Sequence, residues 1–199
     1  MAQSHRSNGT GPGARSTATT TTASRGDGLL RLGAPPVAAT ALTATVALSM
    51  TLVAFGNITD FGTNQQFVQH VLSMDTTFKD PDLMWRAVES PALQNAAYVA
   101  VIVWETLAAL VLLAATWFWI TGLRREAYDR ARAASTVGLV MVLLLFGLGF
   151  LAIGGEWFAM WQSSDWNGLD AAARNVALAA FTLLVVHLPG VRGPAADQV

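Results

Sequence analysis

A chain of 199 residues that is 53% hydrophobic and only 13% charged has the composition of a membrane protein, since soluble chains average about a quarter charged residues. Its formal net charge of -1 conceals a segregation of arginines from acids along the sequence, which for a chain in a bilayer matters more than the sum. It has no cysteine, which excludes disulfides, thiolate metal sites and cysteine nucleophiles.

Residues 1–33 are rich in Ser, Thr, Gly and Ala, with Arg6, Arg15, Arg25 and Arg31 scattered among them. So little apolar surface cannot offset the entropy of ordering, and a disordered basic tail is expected. The first apolar run starts too late and runs too long for a cleavable signal peptide. A hydrocarbon core takes about 20 helical residues to cross. Four runs have that length, residues 36–55, 96–120, 137–154 and 169–188. The fold class expected is therefore all-α: an integral membrane four-helix bundle over residues 34–190, with a short C-terminal tail at 191–199.

The connection 56–95 carries helical patterning of its own. Phe67, Val71, Met74 and Phe78 recur at helical spacing opposite Gln65, Gln66, Gln69 and Ser73, which predicts a short amphipathic helix. Asp80-Pro81 is a helix start signal and predicts a second helix through Trp85 to Glu89. Ser90-Pro91 repeats the signal at the start of span two. Two short extracytoplasmic helices would then cap one mouth of the bundle. Asn57-Ile58-Thr59 fits the glycosylation pattern, although it abuts a span end.

Within span two, Glu105 is the least expected residue. It lies about 15 Å into the apolar run, close to mid-membrane, where an ionised carboxylate is costly. It must face the bundle interior, be protonated or have a partner. Two readings stay open: a neutral carboxyl bonded to Thr43, Thr45, Ser49 or Thr51, or a site for a proton, cation or ligand. Trp117, Phe118 and Trp119 precede Arg124 and predict an aromatic belt at one membrane surface. Trp157, Trp161 and Trp166 in the connection 155–168 predict the other. Arg174, inside span four, is expected to reach outward to Glu156 or Asp165, or inward to Glu105. The outward pairing is less costly and would clasp the ends of spans three and four. Small residues such as Ala47 on span one, Ala97 on span two and Gly138 on span three permit close helix contact.

Basic residues near span ends are retained on the cytoplasmic side. The tail arginines, then Arg124, Arg125, Arg130 and Arg132, then Arg192 put both termini inside. The connections 56–95 and 155–168, with Asp60, Asp75, Asp80, Asp82, Glu89, Glu156 and Asp165 against Lys79 and Arg86, then lie outside.

Chemistry-bearing patterns are few. His5, His70 and His187 offer no pair to grip a haem. His70 with Asp60, Asp75 or Glu156 matches no recognised ligand spacing. No metal and no cofactor are expected. There is no phosphate-binding glycine loop, nucleophile elbow or zinc-protease motif, and the dispersed arginines do not suggest nucleic acid. The candidate functional residues are Glu105, Glu156, Arg174, His70, Asp75 and Trp161.

The stretches NITDFGTNQQFVQHVLSMDTTF (57–78), MWRAV (84–88), the intramembrane pair Trp104-Glu105 and GGEWFAMWQSSDWNG (154–168) resemble the predicted small integral membrane protein family, domain of unknown function 2165. The resemblance covers about residues 37–188. It implies a bacterial multi-pass membrane protein, for which the inner membrane is the expected location, and supplies no activity, cofactor or catalytic residue.

Two functional readings follow. The first is a noncatalytic accessory protein, its ordered extracytoplasmic cap binding a membrane-protein partner, a second copy of itself or a small ligand beside the lipid bilayer. The second is a small transporter or proton-coupled component centred on Glu105, with Glu156, Arg174 and Trp161 along the outer approach. An enzyme built on His70 and nearby acids lacks a nucleophile and base at an interpretable spacing.

Overall fold

The computed structural model describes residues 33–191. The tails assigned to residues 1–33 and 191–199 lie outside it, apart from Gly33 and Val191. Helix α1 (Pro35–Thr59) begins with two prolines in its first turn, where their missing N–H groups need no partner. The chain breaks at Asp60 and continues directly into the short α2 (Phe61–Ser73). Helix α3 (Pro91–Arg125) starts at the expected Ser90-Pro91 signal and ends on Arg124 and Arg125. These cations complement the negative end of the helix dipole. Helix α4 (Asp129–Trp157) follows after a tight turn, and α5 (Leu169–Val186) closes the set.

The helices α1, α3, α4 and α5 are each long and apolar enough to cross a bilayer. They form a ring in which α1 packs on α3, α3 on α4, α4 on α5 and α5 back on α1. Val46, Ala47, Met50, Ala108, Leu112, Leu139 and Ala179 fill its middle with almost no exposed surface. The outward faces carry Leu48, Leu52, Leu107, Leu110, Phe181 and Leu184, all exposed, as expected where lipid tails replace water. The protein is an all-α integral membrane four-helix bundle.

Helix α4 changes character along its length. Asp129–Leu143 is ordinary α-helix, whereas Leu144–Trp157 is wound more widely, as a π-helix. The narrow half packs against both α3 and α5, whereas the wide half keeps α5 and barely touches α3. A seam therefore opens between α3 and the wide half of α4, and α2 sits across its top.

Two expectations fail in the cap. The second helix does not form; only Met84–Arg86 makes a single turn. Asp80 instead accepts the backbone N–H of Asp82, while Val88 N–H donates to Leu72 O at 2.8 Å. This tie lets Leu83, Met84 and Val88 pack on a small second core of Val71, Met74, Phe158, Ala159 and Met160. The amphipathic helix does form, but ends at Met74 in a left-handed turn, leaving Phe78 71% exposed.

The aromatic connection after α4 is explained by the same cap. Trp157 packs edge-on against Trp85, Trp161 edge-on against Phe78, and Trp166 lies 4.4 Å over the His70 ring. Each of its tryptophans thus holds a residue of the 56–90 connection. At the opposite end, Trp117 and Phe118 are exposed, but Trp119 is fully buried, so it does not belong to the expected belt. Arg132 on α4 donates to Val186 O at the end of α5, satisfying a carbonyl the helix leaves open.

Candidate functional site

Tyr98 and Glu105 lie two turns apart on one face of α3, the spacing that aligns side chains along a helix. That face looks into the ring and meets the last turn of α1. There Asn57 Nδ2 donates to Glu105 Oε2 at 2.6 Å, and the Tyr98 hydroxyl donates to Asn57 O at 3.2 Å. Glu105 is 2% exposed and Tyr98 1% exposed. The partner is therefore an amide of α1, not Thr43, Thr45, Ser49 or Thr51. Thr45 and Thr51 bond carbonyls of their own helix, and Thr43 faces Ser135.

Helix α3 starts before its apolar run, so Gln94, Asn95 and Tyr98 precede the turn that carries Glu105.

Glu105 lines a cavity of about 280 Å³ reached by every helix. Its polar wall is Asn57, Asn64, Tyr98, Glu105 and Asn175; its apolar wall includes Phe67, Phe146 and Phe150. Gly168 belongs to it for a steric reason, since a Cβ there would come within 2.9 Å of the Phe67 ring. Among the described residues, Glu105 Oε1 accepts no protein hydrogen bond, and it is not one of the sealed atoms lacking a partner. One carboxylate oxygen is held and the other is free toward the cavity. A hydrogen-bond donor or a cation is what such a site receives.

The other expected residues do not join it. Glu156 and Arg174 are both exposed, and no ion pair connects them; among the described residues only His70 and Asp75 form one. The proposed clasp is therefore absent. Arg174's neighbour Asn175 faces the cavity instead. His70 and Asp75 do meet, with Nδ1 2.8 Å from Oδ2, and the Trp166 ring stacks on the imidazole. This cluster lies on the cap surface. Trp161 pairs with Phe78 and reaches neither site. No group of three His, Asp or Glu side chains converges on a metal position among the described residues.

Asn57, Asn64, Tyr98 and Asn175 are the site residues that the sequence reading passed over. Asn57 stood out only as a glycosylation acceptor, yet its amide nitrogen is committed to Glu105. The seven-residue spacing of Tyr98 and Glu105 was the available signal. Asn64 and Asn175 gave none, because their approach depends on how α2 and α5 cross.

No curated protein and no solved structure matches the chain. The family described as predicted small integral membrane protein (DUF2165) matches residues 36–189, a stretch that takes in all four bundle helices, the cap and the Glu105 cavity, and the chain belongs to that family.

Proposed function

We propose that this protein is an accessory membrane protein that holds a small ligand in the cavity beneath its cap. A cationic or hydrogen-bond-donating group of the ligand sits on Glu105, and an apolar or aromatic body lies among Phe67, Phe146 and Phe150. The observation that carries this reading is the half-satisfied carboxylate: Asn57 fixes Oε2 and leaves Oε1 turned to a preformed space. A buried carboxylate with a vacant acceptor is costly unless something completes it.

Organic extracts of the purified, mildly solubilised protein are expected to contain a small molecule that Glu105→Gln loses at least tenfold, a difference of about 1.4 kcal/mol. Gln keeps the shape and the Asn57 contact, so the variant should melt near the wild-type temperature. The same extract from both proteins would overturn the reading.

The transport reading rests on the same residue but needs a route past it. Below Glu105 the bundle is closed by Val46, Met50, Ala108, Leu112 and Leu139, each at most 2% exposed. This packing favours holding over passage.

Orientation is part of the proposal. With the arginines of the α3–α4 turn held in the cytoplasm, the cap and cavity face outward from a bacterial inner membrane. Because the chain has no cysteine, single cysteines report this directly. A membrane-impermeant maleimide should label Ser164→Cys in intact cells and Arg130→Cys only after lysis. The reverse pattern would invert the topology.

A further inference from the structure

Among the described residues, Arg86 is a cation without an acid in ion-pair reach. It sits half-buried in the Met84–Arg86 turn, with its guanidinium carbon 4.9 Å from the Trp157 ring centre and 5.6 Å from that of Trp85. The two rings meet edge to face at 5.5 Å. Nη1 donates weakly to Trp157 O at 3.4 Å, and Nε is buried with no hydrogen-bond partner. The surrounding connections are rich in carboxylates, yet among the described residues none lies within ion-pair distance of this guanidinium. Trp157, exposed at the end of a spanning helix, and the exposed Trp85 packed against it place Arg86 at headgroup height.

Directly below runs the seam between α3 and the wide half of α4. It contains an apolar groove of about 270 Å³, lined by Trp104, Leu144, Leu145, Leu148, Gly149 and Ile153. Leu145, Gly149 and Ile153 also line a second apolar space of about 130 Å³ beneath α2, whose upper edge is Phe158, the residue after Trp157. Leu144, Leu148 and Ile153 are 44%, 54% and 45% exposed, so the groove opens sideways to hydrocarbon. From Ala97 to Trp104 the seam runs about 10 Å, against about 15 Å for one leaflet of the core.

We infer that this groove and Arg86 together form a binding site for one membrane phospholipid, its phosphodiester on the guanidinium and one acyl chain in the seam. The chemistry at each end matches, since a phosphodiester takes paired guanidinium donors and the lower lining presents almost only apolar surface. A helix from a second copy does not fit: it is about 10 Å across and would displace far more than the groove holds. The site is separate from the Glu105 cavity and stands or falls independently of it.

The test uses delipidated full-length protein, titrated with phosphatidylglycerol or with diacylglycerol of the same chains and read by native mass spectrometry. One phosphatidylglycerol should be retained at least tenfold better than diacylglycerol, and millimolar inorganic phosphate should not displace it. Arg86→Gln should reduce retention about tenfold, whereas Arg124→Gln at the other end should leave it unchanged. Gly149→Leu should also abolish it by filling the groove, because the nearest atom to a Cβ there is 3.8 Å away. Equal retention of diacylglycerol would remove the role of the phosphate, and displacement by phosphate would reduce the site to a small-anion site. Equal losses in the Arg86 and Arg124 variants, or a two-chain particle without lipid, would also overturn the proposal. The wild-type lipid comparison needs no variant to fold.

Discussion

Trp119→Ala is expected to cost the bundle about 3–5 kcal/mol. Trp119 is the largest fully buried side chain, and its indole N–H donates to Ser135 Oγ at 2.8 Å. Ser135 in turn faces Thr43 Oγ1 at 3.4 Å, so one polar knot joins α1, α3 and α4. The ring also stacks on Tyr128 at 5.7 Å beside the α3–α4 turn. There burial, and secondarily the Glu126 carboxylate, pushes the Tyr128 hydroxyl above its ordinary pKa. In lipid the helices gain little from hiding apolar surface and are held mainly by dispersion contacts. Deleting a buried ring therefore removes the dominant attraction and leaves Ser135 without its donor. Trp119→Phe keeps most of the ring and should lose about 0.6–1.7 kcal/mol, the range for one interhelical hydrogen bond. Melting in detergent reads these losses, with Trp117→Ala as the control because Trp117 is 64% exposed. Comparable losses at 117 and 119 would mean that the inward face of α3 is wrongly assigned.

Gly138→Ala should cost about 1–3 kcal/mol by overpacking, and Gly138→Leu should prevent assembly of the bundle. A Cβ at Gly138 would stand 2.6 Å from Leu112 Cγ, 2.7 Å from Leu112 Cδ2 and 3.3 Å from Val111 Cγ1. Leu112 is itself fully buried and has nowhere to move. This glycine sets the distance at which α3 and α4 cross. The control is Gly147→Ala, where the nearest atom would be 3.8 Å away and the melting temperature should not change. A detergent-solubilised Gly138→Leu protein that melts like wild type would show that the crossing is looser than described.

The wide half of α4 links these packing constraints to the two proposed sites. Where α4 is narrow, it locks onto α3 through Gly138. Where it widens, it keeps α5 but parts from α3, which opens both the lipid seam and space beside the Glu105 cavity. Wide helical turns of this kind are often found at functional sites. Nothing in the run Leu144–Trp157 announces the change, since its leucines and glycines suit an ordinary span equally well.

The cap shows why some local signals succeeded and others did not. Ser90-Pro91 started a helix because the following residues continue into a long apolar run that packs on three neighbours. Asp80-Pro81 carried the same signal, but the residues after it were needed as a turn, folding Leu83, Met84 and Val88 onto Val71 and Met74. Tertiary burial overrode a start signal that is worth about 1 kcal/mol. Glu105 was recognised as the residue that demands a partner, because charge in an apolar run is visible in one dimension. Its partner Asn57 was not, because the hydroxyls of α1 looked equally available until the register of α1 against α3 was fixed.

Composition and run length were enough to show a membrane bundle, its four spans, and connections that alternate between arginine-rich and acid-rich. These are properties of composition and run length, and each is read within one helix. Helix packing was needed to turn Trp119 inward and Trp117 outward, to bring Asn57 onto Glu105 and to keep Glu156 and Arg174 apart. In a helix that is apolar on all sides, hydropathy does not say which face meets a neighbour. That choice belongs to the crossing of pairs of helices, through contacts such as Gly138 on Leu112, and exists only once both are present.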